Sequence, residues 1–215
     1  MVKAEVWQSR FTELLTQPEE IVVGGCGGTG SHITFLLQCL GHNVYIYDDD
    51  KFEIVNIGTQ FTSVDQINKP KVEAIQEVIM SMLETCKIIG FNEKYTSESK
   101  VTNIMFSCFD NMKAREIMYN NWKQNPNRKL LIDIRMDAYT YQIFFVIPEN
   151  ERRYENNLFP DEEAKDPICG LKQSRHVGFI ACGNAIAGLL NYLNNDEVLF
   201  YLMEDLPSLY RREEA

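Results

Sequence analysis

No two cysteines in this chain form a C-x-x-C pair. Six are present, Cys26, Cys39, Cys86, Cys108, Cys169 and Cys182, and their spacing excludes the paired-thiolate zinc site. A disulfide framework belongs to short secreted chains with small cores, and 215 residues with 45% hydrophobic content describe a different class. Free thiols in a reducing cytosol are the expectation, and with them a cytoplasmic protein. Also missing is a dense Lys/Arg cluster. The formal net charge is −10, and Arg152-Arg153 and Arg211-Arg212 are isolated pairs beside glutamates. Nucleic acid is therefore not the expected partner, because a phosphate backbone needs a basic surface. The histidines, His32, His42 and His176, match no metal or general-base pattern. Met1-Val2-Lys3-Ala4-Glu5 lacks the apolar core of a signal peptide, and no apolar run reads as long enough to span a membrane. There is no repeat and no low-complexity tract.

What the chain has is a glycine-rich stretch, Gly25-Cys26-Gly27-Gly28-Thr29-Gly30-Ser31, behind the apolar run Ile21-Val22-Val23 and ahead of a helical stretch from Ile33 to Leu40. Strand, glycine turn and helix together present free backbone N–H groups to a phosphate, with no side chain in the way. A nucleotide ligand is the first functional expectation.

The remaining pattern alternates. Residues 5–17 read as an amphipathic helix ended by Pro18, followed by strands at 21–24 and 44–47 with a helix between them that Gly41 stops. Lys69-Pro70-Lys71 opens a second long helix. Further strands are expected at 87–91, 104–107, 130–134 and 141–147, and helices at 111–122 and 177–193. Residues 149–174 are polar and read as a long crossover loop, and 205–215 as a tail, with a short helix before the acidic end. The fold class is α/β, Rossmann-like, with a mostly parallel sheet and helices on both faces, in one domain spanning 1–215. In such sheets the ligand sits beyond the carboxyl ends of the strands.

Gly25, Gly27 and Gly30 satisfy G-x-G-x-x-G, and Asp48 closes the second strand where a carboxylate accepts hydrogen bonds from ribose hydroxyls. A dinucleotide site and an ATP site share these features. Lys71 and Asp110 separate them: one neutralises phosphate charge, the other suits Mg²⁺, and hydride transfer needs neither. Each has a plainer alternative, a surface lysine for Lys71 and a helix cap for Asp110.

The run 25–31, then Asp48-Asp49-Asp50, Asn56 and Gln60, Lys69-Pro70-Lys71 and Asp110-Asn111-Met112-Lys113-Ala114-Arg115 resembles the ThiF/MoeB family of ubiquitin-activating-type adenylyltransferases. The order and spacing hold from about residue 20 to 147, and the helix at 177–193 fits the family's closing helix. The resemblance implies ATP and Mg²⁺ as cofactors, with the C-terminal glycine carboxylate of a ubiquitin-like or sulfur-carrier protein as substrate and a homodimer as the assembly. It assigns Gly25, Gly27, Gly28 and Gly30 to the phosphates and Asp48 to the ribose. Asp50, Asn56 and Gln60 line the nucleotide and phosphate pocket, Lys71 contacts the phosphates, and Asp110 binds Mg²⁺ and stabilises the transition state. Two departures stand out. Thr59 occupies the place of the family's phosphate-binding arginine, and the paired-cysteine zinc site is missing. A weakened member that holds a peptide tail or supports a partner without catalysis is therefore an alternative, and a nicotinamide-dependent oxidoreductase a more distant one. Asp166-Pro167-Ile168-Cys169-Gly170-Leu171-Lys172 resembles the segment that carries the thioester cysteine in ubiquitin activators. Cys169 is a candidate nucleophile with Lys172 and Arg175 to lower its pKa, or an ordinary loop thiol. Arg135 lines a tail groove or makes a surface salt bridge.

Overall fold

The computed structural model describes residues 17–160 and 175–215. The N-terminal helix expected at 5–17 and Cys169 lie outside the described residues, as does most of the crossover loop.

Three consecutive β-branched residues, Ile21-Val22-Val23, build β1 (Glu20–Gly24) as a central strand with both faces fully buried. The chain continues through α1 (Gly30–Cys39), β2 (Asn43–Tyr47), α2 (Lys71–Leu83), β3 (Ile88–Phe91), β4 (Ile104–Ser107), α3 (Met112–Gln124), β5 (Leu130–Met136) and β6 (Thr140–Val146). It then forms α4 (Glu151–Glu155), α5 (Arg175–Asn195), β7 (Tyr201–Asp205) and β8 (Tyr210–Glu214). The strands make one eight-stranded sheet in the order β3-β2-β1-β4-β5-β6-β7-β8. The first five in that order run parallel, and β6, β7 and β8 are added antiparallel. Two apolar layers cover it. Ile21, Val23, Val44, Ile46, Ile104 and Phe106 pack beneath α1, α2 and α5, while Val22, Met105, Leu131, Phe144 and Val146 pack against α3 and α4. The period-two alternation between layers is what a twice-covered sheet requires.

Three expectations are corrected. Residues Tyr201–Asp205 and Tyr210–Glu214, read as a short helix and tail, are strands, since the free edge of β6 offers them a backbone ladder that local pattern does not reveal. Part of the expected loop is a 3₁₀ turn, Pro148–Asn150, and α4. Tyr154 on α4 is fully buried and donates to Asp133 Oδ2 at 2.9 Å. Finally, α5 has 21 residues, includes an 18-residue stretch with a mean hydropathy of 1.3, and does meet the length and composition of a membrane-crossing helix. Val177, Ala181, Cys182, Ala185 and Leu189 spend that apolarity on the sheet and α1, as the core helix of an α/β layer does.

The direction of winding reverses between β1 and β4. From β1 the chain proceeds outward to β2 and β3, then returns to pair β4 on the other side of β1. The turn following β1 therefore opens at the crevice where ligands of doubly wound sheets bind.

Candidate functional site

The glycine turn is held from three sides. Gly25 N donates to Tyr47 O at 2.9 Å, tying it to β2, and Cys108 N donates to Gly24 O at 2.8 Å, tying it to β4. Gly25 sits at φ +85°, in the left-handed region where a side chain is strained. A Cβ on Gly30 would fall 1.8 Å from Gly25 O, so the turn closes on itself only with glycine there. Gly27 differs: a Cβ there meets nothing within 4 Å. Gly25 and Gly30 are needed by the turn itself, and Gly27 leaves open space in front of it. Ser31 Oγ donates to Gly27 O at 2.7 Å and accepts from Phe61 N at 2.9 Å, which fixes the linker after β2 against the turn. His32 Nδ1 donates to Gly28 O at 2.6 Å. Its other ring nitrogen is buried without a partner among the described residues. Burial holds the His32 imidazole below its ordinary pKa, in the neutral form.

Asp48, at the end of β2, reaches back to this turn. Its Oδ2 accepts from Cys26 N at 2.7 Å and its Oδ1 from Asp50 N at 2.9 Å. Each oxygen keeps a lone pair for a further donor. Burial raises the Asp48 pKa, opposed by Lys71 and by these two N–H donors. Lys71, at the start of α2, is buried. Its Nζ lies 2.7 Å from Asp50 Oδ2 and 3.8 Å from Asp48 Oδ1. Burial disfavours the Lys71 ammonium, but the carboxylates of Asp48 and Asp50 more than offset it and its pKa is raised. Two longer-range bonds make this position reproducible: Lys71 N donates to Asp50 O at 2.9 Å, and Cys26 Sγ contacts Lys71 O at 4.0 Å. Lys71 is thus a buried, ion-paired lysine and not a surface one.

The 3₁₀ turn Ile54–Asn56 carries the next group. Asn56 Oδ1 accepts from Glu53 N at 2.8 Å, and Asn56 O accepts from Gln60 N at 2.9 Å. Asn56 acts within its own turn and thereby positions Gln60. The Gln60 side chain is buried with its Oε1 unpartnered among the described residues. Thr59 contributes no charge; its hydroxyl contacts Asn56 O at 3.4 Å.

Asp110 follows β4, two residues beyond Cys108, whose carbonyl abuts Gly25. It is exposed, with Asn111 Nδ2 donating to its Oδ1 at 3.1 Å. It does not cap the helix behind it: Asn111 does, through Ala114 N at 2.9 Å. Among the described residues the group of acidic side chains close enough to share a cation is Asp48, Asp49 and Asp50, with oxygens within 4.8 Å of one another. Asp110 is outside that group.

Sequence reasoning missed a buried polar cluster behind the site. Asp133 on β5 is fully buried and receives Arg115 from α3, Arg135 Nε at 2.8 Å and Tyr154 OH at 2.9 Å. Burial raises the Asp133 pKa, but the two guanidinium groups outweigh it and hold the carboxyl low. Arg115 also donates to Phe109 O and, at 3.1 Å, to Ile134 O, so it fixes the backbone leading into Asp110. The visible signal was a lone acidic residue, Asp133, inside the apolar run Leu130–Ile134. Arg135 belongs to this cluster and stacks over Phe144 at 4.5 Å, which makes its ion pair a buried one. Cys26, Cys108 and Cys182 lie buried around the turn as free thiols with pKa values raised by burial.

A family model described as the ThiF family matches residues 3–200. Among solved structures, PaaA superposes with a TM-score of 0.73 at 19% identity, covering 95% of this chain and 65% of that one. Escherichia coli MccB crystallised with ATP gives 0.70 at 14% identity, covering 94% of this chain and 64% of MccB. MccB with AMPCPP and MccA gives 0.71 at 14%, with 94% and 65% covered. The chain therefore spans about two thirds of the length of these proteins. A comparison with curated proteins gives no match.

Proposed function

Because the chain belongs to the ThiF family, we propose that it is an ATP-dependent adenylyltransferase acting on the C-terminal carboxylate of a protein or peptide, of the ubiquitin-like or sulfur-carrier kind that ends in glycine. The observation that supports this reading is the bond from Cys26 N to Asp48 Oδ2 at 2.7 Å, which joins the carboxylate at the end of β2 to an open main-chain turn. ATP fits the residues present. The open space at Gly27 admits a phosphate against the backbone, and the orphaned Gln60 Oε1 faces a need for a donor that a bound ligand or its water shell meets. MccB, of the same fold, was crystallised with ATP and with MccA.

When bound, ATP supplies an α-phosphorus open to attack by the substrate carboxylate, with pyrophosphate leaving. In this reading Gly25, Gly27, Gly28 and Gly30 receive phosphate oxygens on main-chain N–H groups, and Asp48 accepts from the ribose hydroxyls. Gln60, set by Asn56, and Asp50 line the pocket. Lys71 opposes the developing phosphate charge, and its pairing with Asp50 holds it ready without reorganisation. Asp110 holds Mg²⁺, an ion that needs only one or two protein carboxylates and keeps its waters. Attack of the Cys169 thiolate on the acyl adenylate, forming a thioester as the acyl–phosphate bond breaks and AMP leaves, and a homodimeric assembly belong to the same proposal. A second reading, a tail-binding module without catalysis, is favoured by the uncharged Thr59. ATP–pyrophosphate exchange distinguishes them. Exchange that depends on a glycine-ended carrier and disappears in Asp110→Ala supports the enzyme; ATP binding with no exchange across a panel of carriers supports the module; absence of ATP binding sinks both.

A further inference from the structure

The cradle is short of positive charge. Lys71 is a single cation facing the carboxylates of Asp50 and Asp48, and Asp49 adds a third carboxylate close to these two. A nucleotide triphosphate brings further negative charge into that setting, and Thr59 supplies none of the opposing kind. We infer that Arg175, at the head of α5, is the cation for the distal phosphates of the nucleotide. The inference rests on the ATP reading above and goes beyond it by assigning a residue that the turn and its flanking motifs do not contain.

Three contacts place Arg175 on the cradle wall. Its Nη2 donates to Gln60 O at 2.8 Å. The next residue, Phe61, donates from N to Ser31 Oγ, and Ser31 Oγ donates to Gly27 O. Arg175 is thus three hydrogen bonds from the open glycine. One helical turn further along α5, a Cβ on Gly178 would stand 3.6 Å from Gly28 O, so the helix itself abuts the turn. Asp48 touches the turn at Cys26 and α5 touches it at Gly28. A nucleotide with its ribose at Asp48 extends its phosphates toward α5. Arg175 is exposed, so its guanidinium keeps donors in solvent beyond the one on Gln60, and no acidic side chain pairs it among the described residues. A planar fork with spare donors suits phosphate oxygens.

Arg175→Gln tests this, because the amide retains a donor for Gln60 O and loses the charge. Calorimetric titration of the full chain should show ATP binding weakened about tenfold or more, the cost of a lost charge-assisted bond, with AMP binding within about twofold of wild type. Arg175→Lys should recover part of the ATP loss and flatten with added salt, as a point charge does. Unchanged ATP affinity in Arg175→Gln overturns the inference, and so does an equal loss for AMP. If the wild-type chain binds neither nucleotide, it is the ATP reading that fails. Thermal unfolding of each unliganded variant, expected to match wild type at this exposed position, separates misfolding from lost binding.

Discussion

Asp133 shows at the level of one side chain how this protein places charge. A carboxylate with no exposure is tolerated because Arg115, Arg135 and Tyr154 all converge on it. Such a cluster is weak evidence of net stabilisation, yet removing one partner strands the others. Asp133→Asn is expected to destabilise the fold by about 3–5 kcal/mol in urea unfolding. It should also loosen the backbone at Phe109, and with it Asp110. The pH dependence has a defined sign. The folded Asp133 pKa lies below its ordinary 3.8, so its contribution is present above that value and fades as pH falls through the folded one. His32 and His42 are held below 6.5 by burial. The unfolded chain then binds protons that the folded chain refuses, and stability falls as pH drops below 6.5. Two acid limbs are expected in wild type, one starting near neutrality and one below pH 3.8, with the lower one diminished in Asp133→Asn. A profile flat from pH 7 down to 4.5 contradicts the histidine assignment.

Among the elements, the turn between β1 and α1 was the most legible, because its requirements are local. Gly25 needs a positive φ, and Gly30 must lie against the Gly25 carbonyl. Apolar runs and their alternation likewise announced β1, β2, β4, β5 and β6, since burial on two faces leaves a mark in sequence. What the pattern concealed was decided by partners far along the chain. Tyr154 makes α4 by finding Asp133, and β8 exists because β7 offers an edge. Arg175 was expected beside Cys169, which lies outside the described residues; the contact it does show is to Gln60, 115 positions away. The glycines themselves provide a sharp comparison. Gly30→Ala drives a methyl into Gly25 O and should lower stability by more than about 2 kcal/mol while abolishing nucleotide binding. Gly27→Ala meets open space, so it should leave the melting temperature within about 2 °C yet weaken ATP about tenfold or more by filling the phosphate's place. Equal effects of the two substitutions on stability and binding would show that Gly27 faces packing and not a ligand.

Across the whole molecule the sheet divides labour. The parallel half carries β1, β2 and β4 and every residue assigned to the nucleotide except Arg175, which comes from α5. The antiparallel half, β6 to β8, extends the sheet away from the crevice. Its outermost strand is held by a partly exposed pair to α4, Arg153 with Glu214 at 3.2 Å, and by the ladder to β7. Exposed ion pairs contribute little each, and four of the five β8 residues are exposed. Ending the chain after Leu206 should therefore cost only about 1–3 kcal/mol in urea unfolding and leave ATP affinity within about threefold. The same truncation uncovers the β7 edge, where Tyr201, Leu202 and Met203 offer an unpaired, partly apolar strand. The run Arg211-Arg212-Glu213-Glu214 on β8 is the kind of charged edge that keeps sheets from joining end to end. Light scattering at increasing concentration should then show association beyond a dimer in the truncated chain and not in wild type, and the association should resist salt because it rests on backbone pairing. A truncated chain that stays folded and keeps the wild-type assembly state but loses ATP would instead place β8 in contact with the site and undo this division of the sheet.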